Sequence, residues 1–122
     1  MEPQLINHDY IQELLSVAQD QKEDSLVMHL YGRLLEARET FLKDPFFASI
    51  DWKTDRKQLR FELHKLKNQF ANLGCVAASQ LLEQMYQIAE NAETDLEFKT
   101  LFERFQEVSA MTLTQLRSEL RH

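Results

Sequence analysis

The sequence predicts an all-α protein: an antiparallel up-down-up-down four-helix bundle with a short extra N-terminal helix. Apolar residues recur at intervals of three and four along most of the chain, the spacing that buries one stripe of a helix. The 122 residues include only two glycines and two prolines, with 43% hydrophobic and 28% charged residues, which is typical of a compact helical bundle. Short links between the later helices predict antiparallel neighbours.

The length of 122 residues suits a single domain over residues 1–122. The net charge of −6 argues against nucleic-acid binding, since phosphate contacts need a concentrated basic surface and the basic residues here are interspersed with acidic ones. No apolar run reaches the length of a membrane helix or a signal-peptide core, and the single cysteine cannot form an internal disulfide. We therefore expect a cytoplasmic protein without a membrane segment.

The first helix is predicted to be short. Asp9 with Gln12 resembles a capping pair, and the polar run 19–23 ends the helix. Asp24 or Ser25 then caps a second helix of about five turns, whose apolar side is formed by Val27, Leu30, Tyr31, Leu34, Ala37 and Phe41.

Gly32 is unusual inside the second helix, because an interior glycine costs up to about 1 kcal/mol relative to alanine. Either that cost is tolerated or another backbone comes close to Gly32. The second helix ends near Leu42, and Asp44-Pro45 opens the longest connection, residues 44–53. Its apolar side chains either plug one end of the bundle or form an exposed docking patch: Phe46, Phe47, Ile50 and Trp52.

Thr54 or Asp55 caps a third helix that stops at Gly74. Its buried stripe is Leu59, Leu63, Leu66, Phe70 and Leu73. His64 lies about 140° from the centre of that stripe and Phe61 about 160°, so neither is placed to fill the core.

The last two helices complete the bundle. The fourth follows Gly74 almost at once and buries Ala78, Leu81, Leu82, Met85, Ile88, Ala89 and Ala92. Cys75 begins this helix among small residues, which favours packing over a reactive thiol. Thr94 with Glu97 forms a capping box for the fifth helix. A long seam follows: Phe98, Leu101, Phe102, Phe105, Val108, Thr112, Leu113, Leu116 and Leu120.

The chemistry of the chain is concentrated around His64. Metal binding is not indicated, because its ligands must converge and the four histidines are scattered: His8, His29, His64 and His122. A neutral imidazole in water is a nucleophile toward phosphorus, and Lys67, one turn on, can offset phosphoryl charge. Arg60 lies one turn before and can assist, while Asn68 can donate a hydrogen bond and Ala71 leaves room for a partner. From spacing alone, an ordinary surface histidine stays the leading alternative.

The stretch His64-Lys65-Leu66-Lys67-Asn68, followed by Ala71-Asn72-Leu73-Gly74, resembles the motif of the histidine-containing phosphotransfer (HPt) domain, His-x-Leu-Lys-Gly with a glycine six residues on. The resemblance extends over the helix order of nearly the whole chain. It implies that His64 accepts a phosphoryl group from a response-regulator receiver domain or a hybrid histidine kinase and passes it to another receiver, with Lys67 stabilising the group.

The resemblance also implies that the partner supplies Mg²⁺ and that this chain, expected to be a monomer, binds no cofactor. Arg60, Phe61, Asn68 and Ala71 are the expected partner-binding residues, with Phe61 as the anchor. Two positions depart from the family pattern: Asn68 stands where the family has glycine, and Tyr86 stands where many members carry a glutamine that orients the histidine, with Gln84 expected on another face.

Two other functions stay open at this point. One is a non-phosphorylatable docking or inhibitory module for a kinase or regulator, with the same fold. The other is a helical assembly protein that dimerises through the last helix.

Overall fold

The computed structural model describes residues 4–20, 24–43, 56–91 and 95–120. Within these ranges the chain forms five helices and no strand, which confirms the predicted all-α class. None of these helices combines the length and the apolarity that crossing a bilayer requires. The helices are α1 (His8–Asp20), α2 (Asp24–Lys43), α3 (Arg56–Asn72), α4 (Val76–Asn91) and α5 (Asp95–Leu120).

The core is built from one apolar stripe of each helix. The predicted α3 stripe is buried along its whole length, at Leu59, Leu63, Leu66, Phe70 and Leu73. Phe105 of α5 joins three helices, since its ring meets Phe41 of α2 at 5.8 Å and Phe70 of α3 at 5.7 Å between centroids, both edge-on. Such aromatic contacts stabilise a core beyond the apolar area that they bury.

Helices α3 and α4 make the most extensive contact in the described part of the chain. Arg60 pairs with Glu90, and Lys67 pairs with Glu83. Residue numbers therefore fall along α4 as they rise along α3, so this pair of helices is antiparallel, as the short link predicts.

Gly74 ends α3 as predicted. Its φ of +74° lies in the left-handed region that favours glycine. The amide of Cys75 donates to the Phe70 carbonyl at 3.0 Å and the amide of Gly74 donates to the Ala71 carbonyl at 3.0 Å. This pair of bonds is a Schellman motif, which satisfies two of the final carbonyls of the helix and turns the chain into α4.

Helix α1 is fastened to this turn. The backbone amide of Asn7 donates to the Gly74 carbonyl at 2.8 Å, and the Tyr10 hydroxyl donates to the Asn72 carbonyl at 2.9 Å. The cap of α1 is Asn7, whose Oδ1 accepts from the Tyr10 amide at 3.0 Å, so the predicted Asp9 cap is wrong. Gln12 instead donates to Glu119 of α5 at 3.2 Å.

Most other helix predictions are confirmed where the structure describes them, but Ile88, predicted on the buried side of α4, is only half-buried. Helix α2 ends at Lys43, one residue beyond the predicted end. No described atom lies within 4 Å of a Cβ placed at Gly32, so of the two alternatives for Gly32 the described part of the chain favours a tolerated cost. The seam of α5 is buried or half-buried from Phe98 to Leu120. The connection 44–53, the cap side chains of Asp24, Ser25, Thr54, Asp55 and Thr94, and Ala92 lie outside the described residues.

Candidate functional site

The six predicted site residues lie on α3, on the side away from its buried stripe or at its edge. Arg60 and Lys67 are half-buried; the other four are exposed: Phe61, His64, Asn68 and Ala71. Phe61 is 61% exposed, the value expected for a side chain that the core does not use. The buried stripe on the other side of α3 fixes the position of this face relative to the core.

Across from this face, α4 presents three residues that pair with α3 in order. Arg60 faces Glu90, His64 faces Tyr86, and Lys67 faces Glu83. The histidine therefore lies between two ion pairs, one helical turn before it and one after it.

His64 has two described contacts. Its Nε2 lies 3.4 Å from Nδ2 of Asn68, one turn further along α3, and its ring lies 6.0 Å from the Tyr86 ring between centroids. With the Asn68 amide as donor, Nε2 is the acceptor of this hydrogen bond. The Asn68 side chain thus lies against Nε2 of His64.

Tyr86 links His64 to Arg60. The Arg60 guanidinium carbon lies 4.4 Å from the centroid of the Tyr86 ring, a cation–π contact, and a guanidinium nitrogen donates to the Tyr86 hydroxyl at 2.9 Å. The same nitrogen lies 3.5 Å from a carboxylate oxygen of Glu90. Arg60 is therefore held across the helix pair, and its held position fixes the ring next to His64.

Lys67 is engaged by α4. Its Nζ donates to Oε2 of Glu83 at 2.7 Å, with 31% of the lysine side chain and 39% of the glutamate side chain exposed. The other carboxylate oxygen, Oε1, accepts from Gln87 at 2.9 Å. The hydrogen bonds from Lys67 and Gln87, with smaller attraction from the charge of Lys67, lower the pKa of Glu83 below its ordinary value.

The sequence did not lead us to predict Glu83, Gln87 or Glu90 in the site, and it left Tyr86 without a role. A signal for the two acids was present: Arg60 and Lys67 are seven residues apart on α3, and Glu83 and Glu90 are seven residues apart on α4. In an antiparallel pair of helices, two bases and two acids with equal spacing can pair simultaneously.

Two further predicted features lie away from the site. Gln84, expected on another face than His64, lines a groove with Arg104 and Val108 of α5. Cys75 is fully buried, and burial raises the pKa of its thiol to about 12, which confirms the packing interpretation. No group of three or more metal-ligating side chains converges among the described residues.

Comparison of the chain with protein-family models, with curated proteins and with solved structures finds no match.

Proposed function

We propose that this chain is a single-domain, cytoplasmic and monomeric HPt protein, an antiparallel up-down-up-down four-helix bundle that carries a phosphoryl group on His64. The observation that supports the proposal is an exposed imidazole on a helix anchored in the core, flanked one turn to each side by a cation of α3. A carrier of this kind needs an accessible nucleophile, a nearby positive charge and little else.

The proposed reaction is an in-line transfer from an aspartyl phosphate of a receiver domain or hybrid kinase. The lone pair of an unprotonated ring nitrogen of His64 forms the N–P bond, and the P–O bond to the aspartate breaks, so that the carboxylate leaves with the electron pair. Transfer to the next receiver reverses these two changes. The receiver supplies Mg²⁺ and most of the stabilisation of transition-state charge, while this chain supplies position and the cations of Lys67 and Arg60.

The proposed receiver surface surrounds His64. Phe61 is the apolar anchor, since a large exposed aromatic side chain at the centre of a transient interface contributes strongly to affinity. Asn68 and Ala71, one and two turns beyond His64, would lie under the approaching receiver, with Arg60 at the edge.

The test is transfer of label from purified receiver domains of the host, each phosphorylated with ³²P-acetyl phosphate in the presence of Mg²⁺. We expect acid-labile, alkali-stable label on this chain from at least one receiver, and its loss in His64→Gln. The matched control is His29→Gln, since His29 is also an exposed histidine but lies on α2, outside the site. Absence of label from every receiver, or undiminished label in His64→Gln, would overturn the proposal.

One observation favours a second candidate, a docking or inhibitory module of the same fold that is not phosphorylated. The family glycine after the lysine is replaced by Asn68, whose side chain lies 3.4 Å from His64 Nε2. If this side chain excludes the aspartyl phosphate, the chain binds a receiver or kinase without accepting label. Binding of an unphosphorylated receiver with no transfer in either direction is the outcome that identifies this candidate.

A further inference from the structure

The ion pair between Lys67 and Glu83 is built into the packing of α3 against α4. At 2.7 Å it is a short, charge-assisted hydrogen bond, and Gln87 holds the other oxygen of the same carboxylate. Glu83 is therefore positioned by two donors, one from each helix. The cation expected to serve His64 is already bound by a carboxylate before any phosphoryl group arrives.

The two possible acceptors for Lys67 differ in charge. A phosphoryl group carries about two negative charges at neutral pH, whereas the Glu83 carboxylate carries one. The ammonium group has three donors on a flexible stem, so it can be shared between them or move from one to the other. Exposed ion pairs contribute at most about 1 kcal/mol, so the carboxylate competes with a phosphoryl group but does not exclude it.

We propose that Glu83 is a positioning residue that competes for Lys67 and thereby weakens the interaction of Lys67 with a phosphoryl group on His64. This inference rests on the proposed function, and it concerns how strongly the carrier holds its phosphoryl group. A carrier that holds the group too tightly does not pass it on. By binding the Lys67 ammonium group, the Glu83 carboxylate on α4 determines how strongly that ammonium group interacts with the phosphoryl group.

The inference can be tested without a receiver, using phosphoramidate as the phosphoryl donor. The N–P bond of phosphoramidate breaks, ammonia leaves with a proton, and a new N–P bond forms to the imidazole. The resonance of phospho-His64 in ³¹P NMR spectra is identified by its absence in His64→Gln. Its titration gives the acid dissociation constant of the phosphoryl group, which increases when a cation interacts more strongly with the dianion.

We expect Glu83→Gln to increase this acid dissociation constant by up to about fivefold, the equivalent of an exposed ion pair at about 1.4 kcal/mol per factor of ten. In a Lys67→Gln background the same substitution should have almost no effect, because there is then no ammonium group to release. The matched control is Glu62→Gln, since Glu62 is a glutamate on the histidine's own helix that also accepts a hydrogen bond from a glutamine, Gln58. Glu62 lines a groove toward α2, so its replacement should leave the constant unchanged.

Two results would overturn the inference. If Glu83→Gln leaves the constant unchanged, Glu83 does not compete for Lys67. If the increase is equally large in the Lys67→Gln background, Glu83 acts on the phosphoryl group directly by repulsion. Both results can be obtained whether or not any receiver transfers label to His64, so failure of this inference and failure of the proposed function are separate outcomes.

Discussion

The two glycines of the chain should respond to alanine with opposite signs. Gly74 has a φ of +74°, where a residue other than glycine costs about 1–2 kcal/mol. A Cβ at Gly74 would also lie 3.0 Å from Cδ1 of Tyr10 and 3.3 Å from Cγ1 of Ile11. Displacing the Tyr10 ring weakens its hydrogen bond to the Asn72 carbonyl, worth about 0.5–1.5 kcal/mol. We therefore expect Gly74→Ala to lower the free energy of unfolding by about 2–3 kcal/mol.

Gly32→Ala provides the matched control. No described atom lies within 4 Å of the added Cβ, and the residue is inside a helix, where alanine is favoured by about 0.5–1 kcal/mol. Urea unfolding followed by circular dichroism should separate the midpoints of the two variants, with the slope unchanged. In thermal unfolding, each kcal/mol corresponds to about 3–5 °C for a chain of this length. If Gly74→Ala were as stable as the wild type, or Gly32→Ala less stable than it, the backbone and packing argument would be refuted.

Three further predictions concern Cys75, Glu83 and Asn68. Cys75 should react with a thiol reagent at pH 8 more than about a hundredfold slower in the native protein than in urea, since burial raises the pKa of its thiol to about 12. A fast reaction of the native protein would show instead that the thiol is exposed. Folding lowers the pKa of Glu83, so the ionised carboxylate stabilises the folded protein, by less than about 1 kcal/mol. This stabilisation is present at pH values above the ordinary pKa of 4.5, and it is lost as the pH falls through the lowered pKa of the folded protein. Urea midpoints of the wild type and Glu83→Gln should therefore converge in acid, and a gap that persists there would contradict the assignment. Asn68→Gly and Asn68→Ala should both speed transfer from a phosphorylated receiver, because each removes the side chain next to Nε2 of His64. Asn68→Gly should lower the free energy of unfolding by less than about 1 kcal/mol. An unchanged or slower transfer rate in both variants would reject steric hindrance by Asn68.

The helices could be predicted from the sequence because a helix and its end depend on residues that are close together in the chain. The α3 stripe from Leu59 to Leu73 and the Gly74 stop depend on helical spacing and on the φ of one residue, and both are confirmed. The cap of α1 depends on more than residue type. Asn7 and Asp9 are both good capping residues, and the bond of the Asn7 amide to the Gly74 carbonyl favours Asn7.

The residues of α3 in the candidate site could be identified from one helix, but their partners could not. The pairing of Lys67 with Glu83 depends on how α3 and α4 are rotated and shifted against each other. A periodic pattern in one helix does not contain that information. The position of Tyr86 next to both His64 and Arg60 has the same origin.

The attachment of α1 to the turn after α3 has a consequence for the order of assembly. Helices α3 and α4 are joined by three residues, so they can pair with little loss of chain entropy. The Tyr10 hydroxyl and the Asn72 carbonyl are 62 residues apart in the chain. During synthesis at about 5–20 residues per second, the Tyr10 hydroxyl is made several seconds before the carbonyl that accepts its hydrogen bond. The bonds between the start of α1 and the turn after α3 are thus expected to form late, and they complete the end of the helix that carries His64.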